Sequence, residues 1–273
     1  MKVTKKIITV CLLVIFIVGF FFYYSLNHLQ YFNRGKNNTT VTETNINQNI
    51  CTRTKPFHLN QEFNSALDLI QQRSKSAEDI IKISLKPKER LPRFFSAIDS
   101  RNCLDIFYSD NIPNLNYTNA WFDSENSTPN HLIIKIDPKY KDSRIDNLVM
   151  AMLLAHELTH VRQYFDIKSG DKMTCIQQEV DSFLSQLRFL AILNKDEQPQ
   201  VMNLIKTKYY YVLGTFYDIW IGQDRAATEC NKLQPTGQFN QNGFNVCYWE
   251  KMQAVAEGYI QTIPGYKEHC KLK

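Results

Sequence analysis

His156-Glu157-Leu158-Thr159-His160 puts two imidazoles and a carboxylate within five residues. At about 100° per residue on a helix, His156 and His160 sit about 40° apart on one face, with Glu157 inside the same arc of about 100°. Two imidazoles one turn apart can bind one Zn2+, and a carboxylate beside them can take a proton from a metal-activated water. The pattern has only three fixed letters, so its surroundings matter. Leu148 to Ala155 are apolar on every side, which marks a buried helix. Two His and a Glu carried inside a core need a reason to be there, and a metal supplies one. The bland alternative is a pair of core or surface histidines that happen to fall four apart.

The elements around the motif read as α+β, mostly helical with a small sheet. Gln61–Leu85 has helical spacing at Phe63, Leu67, Ile70 and then Ile80, Ile81 and Ile83, as one long helix or two short ones, closed by Pro87 and Pro92. Leu104–Tyr108 and Ala120–Phe122 are short and strand-like. His131–Ile136 is a stronger strand, β-branched and stopped by Asp137-Pro138. Ser143-Arg144-Ile145-Asp146 has the form of a capping box and is expected to start the motif helix. Beyond it, Cys175–Leu193 carries apolar residues at helical spacing, Val201–Ile221 is aromatic-rich, and Gln234–Asn245 is a polar loop between Cys230 and Cys247. Glu250–Ile263 reads as a last helix, ended by Pro264-Gly265.

The order of strand His131–Ile136, motif helix and a later helix carrying Glu179 resembles a zincin metallopeptidase of the gluzincin type. In that group the third zinc ligand is a Glu on a later helix. Glu179 stands nineteen residues past His160, and Glu179-Val180-Asp181-Ser182 is similar to the signatures such proteins carry there. The metzincin extension is absent, because Gln163 stands where its Gly belongs and Asp166 where its third His belongs. The resemblance covers about fifty residues of the 273. It implies a zincin-like domain over 51–273, with Zn2+ held by His156, His160 and Glu179. Three ligands leave one zinc position for water, and Glu157 serves as general base, then acid, in peptide hydrolysis. It also implies that His131–Ile136 pairs with an extended peptide if that strand edges the cleft; an interior strand is the other reading. Asp181, two residues past Glu179, is expected to orient a ligand His as an outer carboxylate. Weaker candidates are Cys175 as a ligand, Tyr164 as a substrate contact, and Tyr209, Tyr210 or Tyr211 as a phenol for the oxyanion. His58, His131 and His269 have no assigned role.

The rest of the chain places this domain. Hydrophobic residues make up 44%, enough for a sizeable core. Ile7–Tyr24 is eighteen uncharged residues, about 27 Å as a helix, behind Lys2, Lys5 and Lys6. It ends in Phe-Phe-Phe-Tyr-Tyr with no small-residue cleavage site, so an uncleaved transmembrane helix at 7–24 is expected, with a cytoplasmic basic end at 1–6. Residues 25–50, rich in Asn and Thr, read as a tether. Of seven cysteines, Cys11 lies in the apolar run; the other six are widely spaced with no C-x-x-C, which points to disulfides outside the cytoplasm. Their pairing is open. Asn37, Asn38, Asn116 and Asn126 begin N-x-S/T triplets, meaningful only in a eukaryotic secretory route. A net charge of +5 without a basic stripe argues against nucleic-acid binding. The expected partners are the membrane and a peptide or protein substrate. The alternative function is a non-catalytic extracytoplasmic binding or assembly protein on the same scaffold.

Overall fold

In the computed structural model, which describes residues 51–84, 97–98, 100–113, 118–141, 145–233 and 241–271, the three short strands pair into one sheet. Strand β1 (Leu104–Tyr108) runs parallel to β3 (Leu132–Ile136), and β2 (Ala120–Phe122) runs antiparallel to it on the other side. The order β1-β3-β2 makes β3 the central strand. Leu132, Ile134 and Ile136 alternate onto one fully buried face, as a half-buried strand requires. Both sides of β3 are taken, so the interior reading of His131–Ile136 holds and the strand cannot pair with a substrate; among the described residues the outer edges of the sheet belong to β1 and β2.

Helix α1 (Gln61–Ser84) is a single helix; Phe63, Ala66, Leu67 and Ile70 have no exposed surface and pack on the motif helix. Pro87 and Pro92 lie outside the described residues. The motif helix, α2 (Asn147–Lys168), is buried without a break from Leu148 to Thr159. It lies against α1, β2 and α3 (Cys175–Ile192), which is why its sequence is apolar all round. Its cap differs from the expected box. Asp146 is the N-cap, its side chain accepting from Leu148 N at 2.9 Å, so the helix starts at Asn147 and Asp146 does not sit in its first turn. Ser143 lies outside the described residues. Past the helix end, Gly170 takes φ +102°, a turn that an L side chain resists, and Asp171 N bonds back to Asp166 O at 3.0 Å. Helix α3 opens on a capping box: Gln177 N donates to Thr174 Oγ1 at 3.2 Å, and Thr174 N donates to Gln177 Oε1 at 2.8 Å.

The aromatic-rich region divides into α4 (Glu197–Thr207) and α5 (Tyr210–Ile221), separated by Lys208 and Tyr209 with φ of −128° and −119°. Helices α6 (Gln223–Lys232), α7 (Gln241–Thr262) and α8 (Pro264–His269) complete the chain. Two expectations change here. Residues 241–245 belong to α7 and not to the polar loop, whose other residues past Leu233 lie outside the described ones. Pro264 begins a further helix where it was expected to end one, because a first-turn position has no use for its missing N–H.

The six cysteines form three disulfides, Cys51–Cys103, Cys175–Cys270 and Cys230–Cys247. No helix among the described residues is long and apolar enough to cross a membrane. The expected anchor at 7–24, the basic end 1–6 and the tether 25–50 lie outside those residues, as do Asn37, Asn38 and Asn116.

Candidate metal centre

Helices α2 and α3 pack side by side and turn His156, His160 and Glu179 to one point, with ligand atoms all within 4.8 Å of one another. The two Nε2 atoms are 3.1 Å apart. Glu179 Oε2 lies 3.4 Å from His156 Nε2, and Oε1 lies 3.6 Å from His160 Nε2. Glu179 is buried, and its Oε2 has no hydrogen-bond partner. A carboxylate oxygen out of water with nothing to accept from is costly, and a cation between it and two imidazoles removes the cost. This donor set can hold a metal ion.

The outer nitrogens of both rings are held by amides. His160 Nδ1 sits 2.8 Å from Gln163 Oε1, and His156 Nδ1 sits 3.4 Å from Gln186 Oε1. An Nδ1–H donated to each Gln leaves both Nε2 lone pairs facing the centre. Gln163 is fixed in turn, its Nε2 donating to Gln178 O at 3.0 Å and Asp181 Oδ2 at 3.3 Å; Gln186 Nε2 donates to Met152 O at 2.9 Å. Asp181 therefore works at one remove, steadying the glutamine that holds His160. Two residues along a helix is about 200° round it, so Asp181 cannot share the face of Glu179.

Glu157 ties α2 to the sheet. Flanking β2, Asn119 O accepts from Asp137 N at 3.0 Å and Asp123 N donates to Ile133 O at 2.9 Å. The alternation turns the peptide groups of Ala120 and Phe122 the other way. Phe122 N donates to Glu157 Oε2 at 2.9 Å, which leaves Oε1 for chemistry. The electrostatics separate these groups. Burial pushes the Glu157 carboxyl up to about 7, opposed by His156 and aided by the Glu179 charge. Burial takes the His160 imidazole down to about 4, against the pull of Glu179. His156 is raised, burial being outweighed by the Glu179 carboxylate 3.4 Å away and by the Glu157 charge. Glu179 itself is lowered despite burial, by His160, His156 and His269.

The group faces a cleft of about 810 Å3. Its walls are aromatic, with Trp121 and Phe122 from β2, Tyr210 and Tyr211 from α5, and Tyr266 from α8. Asn119 anchors the β2 side: its Nδ2 donates to Val212 O at 3.0 Å, and its Oδ1 accepts from Tyr140 OH. Gly214 lets the Tyr210 ring lie on the α5 backbone, since a Cβ there would stand 3.1 Å from Tyr210 Cε1.

The remaining candidates divide. Cys175 is bonded to Cys270 and is no thiolate. Tyr164 lines the cleft, but its OH donates to Ser127 O at 2.9 Å and holds the loop after β2. Tyr209 is buried and accepts from Asp146 N at 3.2 Å, and Tyr210 OH donates to Asp218. His131 stacks on Phe57 and meets Asp105 at 2.8 Å, outside the cleft. His269 is the residue the sequence left without a role and the fold brings in: its Nε2 lies 3.4 Å from Glu179 Oε1. Gln163, Gln186 and the Phe122 peptide were not foreseen either. The one usable signal was Cys270 beside His269, and its partner could not be read from the sequence.

Compared with protein-family models, curated proteins and solved structures, the chain matches none.

Proposed function

We propose that this chain is a zinc-dependent peptidase, similar to the gluzincin-type zincins, held at a membrane by residues 7–24 with its catalytic domain outside the cytoplasm. The observation that carries the reading is the His156, His160 and Glu179 group, with an orphaned Glu179 oxygen and with Glu157 beside it in the same cleft. Six paired cysteines support an oxidising compartment for the domain.

His156, His160 and Glu179 would hold a zinc ion, which would supply Lewis acidity toward water and a carbonyl. The chain's own residues do the rest. Glu157, steadied through Oε2 by Phe122 N–H, takes a proton from the attacking water on Oε1 and delivers it to the leaving amine. Nitrogen gains that proton as the C–N bond breaks, and carbon gains the hydroxyl. The outward peptide group of Ala120 gives an extended substrate one place to pair along β2. The aromatic walls hold apolar side chains and keep bulk water from the reacting bond.

The test uses the full chain and a mixed peptide library read by mass spectrometry. The parent is expected to cleave. Glu157→Gln is expected to keep its metal and lose about 10²–10⁴ of the rate. Equal cleavage by parent and variant would end this reading.

A further inference from the structure

The C-terminal helix bears on the metal group in a way that no part of the reaction above uses. Helix α8 spans six residues, and residues three apart on it share a face. Tyr266 and His269 are such a pair. The Tyr266 ring meets the Phe183 edge at 5.8 Å, and Phe183 meets His156 at 4.7 Å. The His269 ring stands on edge to Trp121 at 4.9 Å, and its Nε2 reaches Glu179 Oε1 at 3.4 Å. The next residue, Cys270, is bonded to Cys175, the first residue of α3 and about one turn before Glu179. The helix that presents His269 is thus tied covalently to the helix that presents Glu179.

The two Glu179 oxygens are not equivalent. Oε1 lies between His269 Nε2 at 3.4 Å and His160 Nε2 at 3.6 Å, whereas Oε2 is buried without a hydrogen-bond partner and faces His156 at 3.4 Å. A carboxylate on a helix can turn about its last torsion, and a free one spreads its oxygens over several directions. Fixing one oxygen from outside fixes the other.

We propose that His269 is the positioning residue of the metal centre: its Nε2–H holds Glu179 Oε1, and the Cys175–Cys270 bridge holds His269, so that Oε2 is set toward the ion. This rests on the metal-binding reading above and adds to it. His269 acts through Glu179 and is not itself a ligand in this assignment; the three-donor group forms without it. The Trp121 ring, on edge to His269 at 4.9 Å, limits the imidazole's swing.

The experiment measures zinc affinity of the full chain by competition with a chromophoric chelator, for the parent, His269→Ala and His269→Gln. Outer-sphere partners of metal ligands typically contribute about 10–100-fold in affinity, and His269→Ala is expected to lose an amount in that range. Gln places an amide N–H near the position of the imidazole Nε2 and is expected to recover most of the loss. His269 is partly exposed, so the metal-free variants are expected to melt with the parent, which separates a positioning effect from unfolding. If His269→Ala binds zinc as tightly as the parent, or His269→Gln is as weak as His269→Ala, the proposal is wrong while the metal centre stands. A parent that binds no zinc removes both.

Discussion

Asp123 and Glu157 are both buried carboxylates at the end of β2, and their surroundings move them in opposite directions. Burial would push Asp123 up, but Lys135 Nζ at 2.7 Å and the bonds from Asn126, with Nδ2 at 2.9 and 3.0 Å, hold it below its usual 3.8. A folded value below the unfolded one stabilises the fold in full above 3.8 and ceases to do so as pH falls through the folded value. Asp123→Asn is therefore expected to be less stable than the parent at neutral pH, with the gap closing well below 3.8. Urea midpoints across that range check it; a gap that stays constant with pH contradicts the assignment. Burial moves Glu157 the other way, against the His156 charge. The meeting of His156, His160 and Glu179 was legible in the sequence, the His pair from its spacing and Glu179 from the resemblance. Gln163, Gln186 and the Phe122 N–H were not. An amide or a peptide group leaves no signature of what it will face, and its role is set by register and rotamer alone.

At the scale of the element, the motif helix carries most of the account. Its apolar run predicted burial on every side, and α1, β2 and α3 supply the cover. Leu154 has no exposed surface, and truncating such a residue to Ala costs about 2–5 kcal/mol. Leu154→Ala is expected in that range by urea denaturation; a loss below about 1 kcal/mol would mean the helix is not packed as described. The start of the helix was misread by three residues. Ser143 and Asp146 are both good caps by type, and only the backbone decides which one turns its oxygen to a free N–H. Asp146→Ala is expected to cost about 1 kcal/mol, through the lost bond to Leu148 N. The strand order was illegible for a similar reason. Three short apolar runs define strands, but placing the third between the first two depends on crossovers that no local pattern records.

Across the whole molecule, the six cysteines other than Cys11 announced disulfides and said nothing of partners. The pairing matters, because Cys175–Cys270 closes 95 residues and joins the metal helix to the last helix, whereas Cys230–Cys247 closes only 17. On chain entropy alone a loop near 100 residues contributes about 4.7 kcal/mol and one near 15 about 3 kcal/mol. Replacing Cys175 and Cys270 by Ser is thus expected to lower stability more than replacing Cys230 and Cys247, and also to weaken zinc binding, which the second pair leaves intact. Two consecutive helices, α2 and α3, meet at a donor set that can hold one metal ion. Metal content of the purified full chain, measured by elemental mass spectrometry beside a Glu179→Ala variant, addresses it most directly. One zinc per chain is expected in the parent and a large loss in the variant. A parent without metal, or a Glu179→Ala variant that keeps its full complement, contradicts it.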